Sequence, residues 1–478
     1  MPTAHLDART RRFIEGPITV TLLRLAAPNV LVMVAQAAVG LIETYFVGKL
    51  GTAALAGVAL VFPVLMLMQM MSAGAIGGGI SSAIARALGA GRRADADALA
   101  LHALAIALIL GLLFTVGVIG AGPALYTVMG ASGLSLEAAL IYSNVIFASA
   151  ILIWLFNSLA NVIRGTGNMA VPAIVTCVGA AALVPLSPAL IFGWGPFPRL
   201  GIAGGAAGVV CFYALGTLAL LAYLAAGRSV VRLSLHSNGV RLMMFWEILR
   251  VGGVAALITI GTNLTIAIST ALVGQFGPAA IAEYGTAVRL EYLLIPLVFG
   301  FGAPLVAMVG TNIGAGERER ALRTAWIGAV IAGGLCEAIG LCAAAFPEAW
   351  LKLFDKEPAM LEAGARYLQI VGPAYGLFGL GMALYFASQG AGRLLWPLLA
   401  NITRLVIAAG GGWLALRSSG QISELYIAQA AALAIFGLMI AAAVAGGAWF
   451  GRLSWRWPRR RSALLVGASQ PSCVGGSA

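Results

Sequence analysis

The sequence predicts an all-α, polytopic membrane protein with twelve transmembrane helices in two six-helix bundles. Hydrophobic residues make up 61% of the 478 residues, charged residues only 10%, and the mean hydropathy is +0.97. A soluble chain carries about 25% charged residues. Apolar runs long enough to cross a bilayer, which takes about 20 residues, recur along the whole chain. The two halves also repeat, so we expect the bundles to be related by a pseudo-two-fold axis along the membrane normal.

The apolar runs define the order of elements, because charged or glycine-rich turns separate them. A polar lead, 1–22, precedes an N-lobe, 23–226. A basic linker, 227–245, joins it to a C-lobe, 246–450, and a basic tail, 451–478, follows. The predicted spans are 23–47, 53–80, 98–120, 136–162, 170–193, 201–226, 246–275, 279–311, 322–346, 360–388, 395–416 and 423–450.

The basic residues predict the orientation of the chain. Twelve spans place both termini on one side, where 20 of the 29 Lys and Arg residues also fall. Four others lie within predicted spans, and the opposite side holds five: Lys49, Arg199, Lys352, Lys356 and Arg417. Because cytoplasmic loops carry the excess of basic residues, both termini are expected in the cytoplasm of a plasma-membrane protein. The same bias explains the net charge of +12 without a nucleic-acid partner.

Three motifs recur at nearly one spacing and reveal the internal repeat. Six spans per repeat is an even number, so both halves have the same orientation, as in secondary transporters whose site lies between or within the lobes. The pairs are 47–54 with 273–280 at a shift of 226, 89–93 with 314–318 at a shift of 225, and 165–172 with 390–397 at a shift of 225.

The first span carries a carboxylate, Glu43, inside an apolar run. Inserting such a group into a membrane costs about 2–3 kcal/mol or more, so it needs a partner or a function. Asn29, Gln36 and Glu43 are spaced seven apart and therefore share one helix face. We expect this face to line a cavity or to pack on protein. The face either forms a hydrogen-bonding seam between helices, or it carries a proton- or ion-binding carboxylate in a transport pathway.

Two further spans carry polar candidates. Asn157 and Asn161, four residues apart in the fourth span, either line the N-lobe cavity or join helices. In the eighth span, Glu291 is a second candidate for coupling or substrate binding, with Tyr284 seven residues earlier on the same face. Arg289 is also a candidate for the cavity. It lies two residues before Glu291, so the two side chains point in different directions on a regular helix. A structural ion pair across the bundle is the alternative for Glu291.

The seventh span contributes two polar candidates to the predicted cavity, Thr262 and Asn263. Hydroxyl groups can line a hydrated cavity. They can also bond back to carbonyl groups of their own helix.

Several of these stretches resemble the multidrug and toxic compound extrusion (MATE) family, over roughly residues 20–450. They are Ala27-Pro28, the run from Glu43-Thr44 to Gly51, the Gly-Ala-Gly turns at 89 and 314, and Arg164-Gly165-Thr166-Gly167-Asn168. The resemblance is closer to the DinF-like than to the NorM-like branch. It implies two bundles in a V, alternating access, and export of cationic or amphipathic drugs or metabolites. An H⁺ or Na⁺ gradient would drive export, without a cofactor.

The resemblance also assigns roles by position. Glu43 falls where members commonly carry the Asp linked to cation or proton coupling. Thr262 or Asn263, and Phe378, occupy the places where one branch has acidic residues. The Asn and Asp of a sodium-binding pattern are absent from 183–188. A single buried carboxylate suits a proton better, since burying it uncharged costs less, and we therefore expect H⁺ rather than Na⁺.

Two other functions remain open at this stage. A flippase for a lipid-linked sugar precursor, of related fold, would favour a strongly basic central cavity. An integral-membrane transferase would need a His/Asp or Cys/His cluster on one face, and the three histidines, His5, His102 and His236, show no metal-ligand spacing. Without a Walker loop, ATP is not the expected energy source. We therefore expect a monomeric transporter, with no metal site, whose partners are small molecules and the bilayer.

Overall fold

The computed structural model describes residues 7–233, 241–354, 358–418 and 421–451, and these ranges contain helices and turns but no strand. Seventeen α-helices lie in these ranges, with a π-helical segment at Met70–Ile76 and a 3₁₀ turn at Gly372–Ala374. The helices are α1 (Ala8–Glu15), α2 (Ile18–Gly48), α3 (Thr52–Gln69), α4 (Gly77–Gly89), α5 (Arg93–Val128), α6 (Gly133–Ala148), α7 (Ala150–Gly165), α8 (Ala170–Phe192), α9 (Ile202–Ala225), α10 (Leu242–Gly274), α11 (Pro278–Gly314), α12 (Arg318–Ala345), α13 (Pro347–Leu351), α14 (Pro358–Val371), α15 (Tyr375–Ala391), α16 (Leu395–Ser418) and α17 (Ile422–Ala445).

The helices confirm the predicted fold class. Within the described residues, eleven helical stretches are long and apolar enough to cross a membrane, among them Thr52–Gly89 and Gly364–Ala391, and counting the bent pair α6 and α7 as one span gives twelve. Several spans run further than the apolar pattern indicated. The third, expected at 98–120, is α5 and extends over Arg93–Val128. Its first turn is polar and carries Asp95, which favours a helix N-terminus but falls outside an apolar run.

The predicted lead and linker both contain parts of helices. Within 1–22 lie α1 and the start of α2. Asp7 caps α1 by accepting a hydrogen bond from the N–H of Arg9 at 3.2 Å. The linker, expected to end at 245, gives way to α10 at Leu242. Residues 234–240 of the linker, and the tail beyond Gly451, lie outside the described residues.

Both repeats are broken at the same place, although the two breaks form differently. Between α6 and α7 the chain bends by 49°, and the Ser149 hydroxyl bonds back to the carbonyl of Ile146 at 2.8 Å. The equivalent break between α14 and α15 is the 3₁₀ turn, whose Pro373 has no N–H to donate. There the Glu337 carboxylate accepts a hydrogen bond from the Gly376 N–H at 2.8 Å.

The π-helical segment separates α3 from α4 in the second span. Single π turns shift the backbone register and leave carbonyl groups for other donors. The amide of Asn161 donates to the carbonyl of Ala73 at 3.1 Å. The amide of Gln389, from the C-lobe, donates to the carbonyls of Gly74 at 3.1 Å and Ala75 at 3.2 Å. This segment is therefore held by side chains from both lobes.

The two lobes meet along a surface that we call the interlobe seam, formed mainly by α4 against α10, α11 and α15. Two contacts in it are related by the 225-residue repeat. Gly89 abuts the backbone carbonyl of Thr311, and Gly314 abuts that of Arg86. A side chain at either glycine would collide with backbone of the other lobe. The Gly-Ala-Gly turns recognised as a repeat thus allow the lobes to approach closely.

Hydrogen bonds reinforce the seam. The Ser82 hydroxyl lies 2.6 Å from the carbonyl oxygen of Gln389 and 3.1 Å from that of Gly390. The Arg86 guanidinium donates to Gly390 at 3.2 Å and lies 3.6 Å from the Glu247 carboxylate. The structure is therefore closed at the end of the bundle where α4, α11 and α15 terminate.

Candidate functional site

Glu43 of α2 faces the interior of the N-lobe. The Tyr142 hydroxyl of α6 donates a hydrogen bond to its Oε1 at 3.1 Å. On a third side lies Gly205 of α9, where an added Cβ would stand 3.6 Å from the same oxygen. The carboxylate is thus placed between three helices, beside a donor, which meets its need for a partner within the membrane.

Polar side chains continue from Glu43 towards the π-helical segment. Tyr213 lies within electrostatic reach of Glu43 and accepts a hydrogen bond from the Gln69 amide. The Asn157 amide donates to Gln69 Oε1 at 3.0 Å and to the Ser72 hydroxyl at 2.8 Å. We call this set the N-lobe polar network; its members are Glu43, Tyr142, Tyr213, Gln69, Asn157 and Ser72.

The other N-lobe candidates have different surroundings. Asn161 is buried, and its amide donates hydrogen bonds to two backbone carbonyls, that of Ala73 and, at 2.9 Å, that of Asn157. It therefore joins its own helix to the π-helical segment. Gln36 is exposed and has no hydrogen bond among the described residues. Asn29 is 2% exposed, and its amide nitrogen has no hydrogen-bond partner in the described part of the chain. Of the stripe on the first span, only Glu43 joins the network.

Glu291 of α11 forms a buried ion pair in the C-lobe. Its Oε1 lies 3.4 Å from Nη2 of Arg404 in α16, and its Oε2 accepts a hydrogen bond from Tyr367 at 3.1 Å. The Arg404 guanidinium also stacks over the Phe378 ring at 5.1 Å. A buried pair of this kind neutralises two charges that would otherwise be costly to enclose. The arrangement matches the ion-pair alternative and identifies Arg404 as the partner.

Tyr284 lies next to this pair, as its spacing from Glu291 indicated. Its ring makes an edge-to-face contact with Tyr367, with centroids 5.4 Å apart, and stacks on Tyr426 at 6.4 Å. Tyr284, Glu291 and Arg404 line a cavity of about 20 Å³. Such a volume holds about one water molecule, so the C-lobe site is compact in this conformation.

Arg289 lies apart from the Glu291 pair. Its side chain is exposed, with the guanidinium 5.1 Å from the centroid of the Phe354 ring. The structure therefore does not bring Arg289 into the cavity around Tyr284 and Glu291. Residues two apart on a helix point in different directions, which accounts for the separation.

Thr262 and Asn263 both bond back to their own helix, the alternative that the sequence left open. The Thr262 hydroxyl lies 3.0 Å from the carbonyl of Ile258, and it also donates to Oδ1 of Asn401 at 3.1 Å. The Asn263 amide donates to the carbonyl of Thr259 at 2.9 Å. It also lies 3.9 Å from the sulfur of Met70, in the other lobe, so Asn263 stands at the lobe interface.

Sequence reasoning missed the tyrosines that contact the two carboxylates. Tyr142 and Tyr367 are 225 residues apart, the shift of the repeat, and each donates to a carboxylate of its own lobe at 3.1 Å. The acidic partners are not equivalent, because Glu43 comes from the first span of its lobe and Glu291 from the second. The paired spacing of the tyrosines was available in the sequence. Nothing similar marked Gln69, Ser72, Tyr213 or Arg404.

Comparison with known proteins gives concordant results. The sequence model of the MatE family matches residues 28–189 and 255–414. The chain is 29% identical over 398 residues to a protein named FAD transporter from Shewanella oneidensis, covering 82% of this chain and 87% of that protein. It is 27% identical over 460 residues to a probable multidrug resistance protein NorM from Deinococcus radiodurans, covering 92% of this chain and 96% of the relative.

A solved structure has the same fold. The MOP superfamily transporter from Pyrococcus furiosus superposes with a TM-score of 0.84 at 24% identity, covering 91% of this chain and 99% of that one. The matched segments of the family take in well over half of the chain, and they include the first span with Glu43 and the eleventh with Arg404. The chain therefore belongs to the multidrug and toxic compound extrusion family, whose members are membrane transporters and not enzymes.

Proposed function

We propose that this transporter exports cationic or amphipathic small molecules in exchange for protons, with Glu43 as the coupling group. The observation that carries the proposal is the position of Glu43 between α2, α6 and α9, bonded to Tyr142 and next to a polar network that reaches the π-helical segment. The Deinococcus radiodurans relative is named a probable multidrug resistance protein, in keeping with this cargo.

Competition at Glu43 would provide the coupling. A charged carboxylate in this low-dielectric interior attracts a cationic cargo. Protonation removes the charge, weakens the hold on the cargo and permits its release. Because the coupling free energy acts equally in both directions, cargo binding must in turn expel the proton. The Tyr142 hydroxyl remains beside either form, since it can donate to a carboxylate or accept from a carboxylic acid.

The closed seam suggests which state the structure represents. We place both termini in the cytoplasm because 20 of the 29 basic residues share their side. The seam then closes the cytoplasmic end, and the conformation is outward-facing. Reporter fusions at both termini test the orientation: cytoplasmic signals from both are expected, and a periplasmic signal from either would contradict it.

We favour a proton over sodium and a place in the DinF-like branch. Sodium is held by several oxygen ligands together, and the segment 183–188 of α8 offers one side-chain oxygen, that of Ser187. Glu43 itself has one tyrosine donor as its hydrogen-bond partner among the described residues. A single carboxylate in such surroundings can bind a proton without further ligands.

Transport in proteoliposomes tests the assignment. Purified protein should move a cationic dye under an imposed pH gradient and not under a sodium gradient of equal size. Glu43→Gln should abolish gradient-driven transport while folding normally, and Glu43→Asp should retain part of it. Glu348→Gln is a matched control, because Glu348 is exposed and pairs with Lys352 at 2.6 Å, away from the network. It should transport as the wild type does.

Two results would overturn this reading. If Glu43→Gln kept the wild-type rate and pH dependence, coupling would lie elsewhere, and Glu291 would be tested next. If a sodium gradient alone drove transport, the assignment of the proton as the coupling ion would be wrong, whereas the assignment of Glu43 as the coupling group would not be affected.

A flavin dinucleotide is the second candidate cargo, since the Shewanella oneidensis relative is named an FAD transporter. FAD carries a pyrophosphate and is anionic, so Glu43 would repel it unless protonated. Parallel assays with FAD and a cationic dye separate the two. If the protein transported FAD and not the dye, the proposed cationic cargo would be wrong and the cargo would be anionic.

A further inference from the structure

A cavity of about 410 Å³ lies beside α1, away from the polar networks of both lobes. It is bounded by α1, by the first turns of α2 and by the turn between α7 and α8. Three arginines line it, Arg9 and Arg12 of α1 and Arg24 of α2. The described residues that line it include no carboxylate.

The three guanidinium groups have no ion pair among the described residues. Neither acidic residue of this segment forms an ion pair with these guanidinium groups. Asp7 caps α1 through the N–H of Arg9, and Glu15 acts electrostatically on Arg320 of α12. The cavity thus concentrates positive charge that the protein itself leaves unbalanced, which favours an anionic occupant.

Apart from the arginines, Thr21 and Asn168, the cavity wall is formed by apolar residues and Gly167. Apolar side chains continue from it along the outer surfaces of the two flanking helices. Val20 of α2 is exposed and lines the cavity, and Ile174 of α8 is exposed one turn beyond its wall. These surfaces face the bilayer in a membrane-spanning bundle. An occupant with an anionic head and apolar chains would match both parts.

The depth of the cavity fits a lipid headgroup. Arg24 stands six residues after the start of α2, about 9 Å along the helix axis at 1.5 Å per residue. That places its guanidinium near the boundary between headgroups and hydrocarbon, where arginine side chains reach the interface. Arg9 and Arg12 lie outside the span, on the side of the chain termini.

We propose that this cavity binds the headgroup of an anionic phospholipid from the leaflet on the side of the termini. Arg9, Arg12 and Arg24 hold the phosphate, and the acyl chains lie along the apolar surfaces of α2 and α8. Basic pockets between helices are a recurring means of recognising such headgroups.

The site also adjoins the closed seam. Phe13 of α1 packs its ring on Gly167 of the N-lobe, while its carbonyl accepts hydrogen bonds from Asn312 at 3.2 Å and Arg320 at 2.9 Å, both in the C-lobe. Thus α1 links the two lobes at the end where they are closed. A lipid that holds α1 against α2 favours this closed arrangement over one in which the lobes separate there.

Native mass spectrometry of the full chain in detergent measures the binding directly. The probes are phosphatidylglycerol, zwitterionic phosphatidylethanolamine and inorganic phosphate. A basic residue close to anionic lipid contributes about a factor of five in affinity. The variant Arg9→Gln/Arg12→Gln/Arg24→Gln should therefore bind phosphatidylglycerol about 100-fold more weakly. The control Arg92→Gln/Arg228→Gln/Arg393→Gln removes the same charge from exposed positions outside the cavity and should bind normally.

A second variant separates the cavity from diffuse charge. Ala170 is exposed and lines the cavity, so Ala170→Trp fills it while keeping every arginine. It too should lose tight phosphatidylglycerol binding, with unchanged dye transport in liposomes of zwitterionic lipid confirming that it is folded.

Three results would overturn the proposal. They are wild-type binding by both cavity variants, equal affinity for phosphatidylethanolamine, and displacement of the lipid by inorganic phosphate at equal concentration. The last would show an anion site that does not distinguish lipid from free phosphate.

Discussion

The interlobe seam predicts that one added methyl group can shift the conformational equilibrium of the transporter. Gly79 of α4 faces the other lobe so closely that a Cβ there would lie 2.7 Å from the carbonyl oxygen of Ile248 and 2.8 Å from the backbone nitrogen of Gly252. We therefore expect Gly79→Ala to destabilise the closed seam while leaving each lobe folded.

The size of the effect follows from the contact. Ordinary van der Waals contact begins at 3.4 Å, so the lobes would have to separate by 0.7 Å to accept the methyl group. Backbone atoms cannot turn aside as a side chain can, and overpacking of this kind costs about 1–3 kcal/mol. Because the cost falls on the closed state alone, the ratio of open to closed molecules should rise by about 5- to 150-fold.

Distances between spin labels report this ratio. Labels on cysteines placed at Arg228, an exposed position just after the last N-lobe helix α9, and at Arg393, an exposed position of the C-lobe, should show a longer-distance population in Gly79→Ala. The matched control is Gly253→Ala on α10, where an added Cβ meets nothing within 4 Å. It should keep the wild-type distance distribution.

If Gly79→Ala and Gly253→Ala gave the same distribution as the wild type, the close approach of α4 and α10 would not limit opening. If both shifted it equally, helix propensity and not the contact between lobes would be the cause, since Ala favours helix over Gly by about 1 kcal/mol.

Three further predictions concern other contacts. Arg404→Met leaves buried Glu291 unpaired and should destabilise the protein by about 3–5 kcal/mol, seen as a lower unfolding temperature in detergent, whereas adding Glu291→Leu should recover most of the loss. Tyr142→Phe removes a hydrogen bond to a charged group, worth about 1.5–3 kcal/mol, and should slow pH-driven efflux at unchanged membrane levels; unaltered efflux would separate Tyr142 from coupling. Gly167→Ala strains a backbone with φ of +80° and sets its Cβ 2.6 Å from the Phe13 ring, so α1 should be cleaved faster in limited proteolysis, and equal cleavage would argue against that packing.

The fold could be predicted because its signals are local or strictly repeated. A span is visible as an apolar run, and the Gly-Ala-Gly turns disclosed the duplication by recurring 225 residues apart. Helix ends were predicted less well, since polar turns such as the first turn of α5 are helical without being apolar. The π-helical segment could not be predicted, because the composition of Met70–Ile76 does not differ from that of an ordinary membrane helix.

The site was predictable in part, and most clearly where a charged residue stands out in an apolar run. Glu43 and Glu291 are conspicuous as charges within apolar runs. Their partners are not, because Tyr142 is 99 residues from Glu43 and Arg404 is 113 residues from Glu291. Which helix faces meet across such separations depends on tertiary packing. A single sequence records polar residues by position and does not record the helix against which each one packs.

The two-fold character of the seam has a consequence for the halves as separate molecules. Gly310 faces Ala85, which is its own counterpart 225 residues earlier in the repeat. This contact therefore lies close to the pseudo-two-fold axis. The same axis relates the contact of Gly89 with Thr311 to that of Gly314 with Arg86. Such a surface is isologous, the type that joins two copies of one subunit in a symmetric dimer. An N-terminal half expressed alone would therefore carry a nearly self-complementary face on α4. It should associate with a second copy of itself, and a co-expressed C-terminal half would have to compete with that homodimer for assembly.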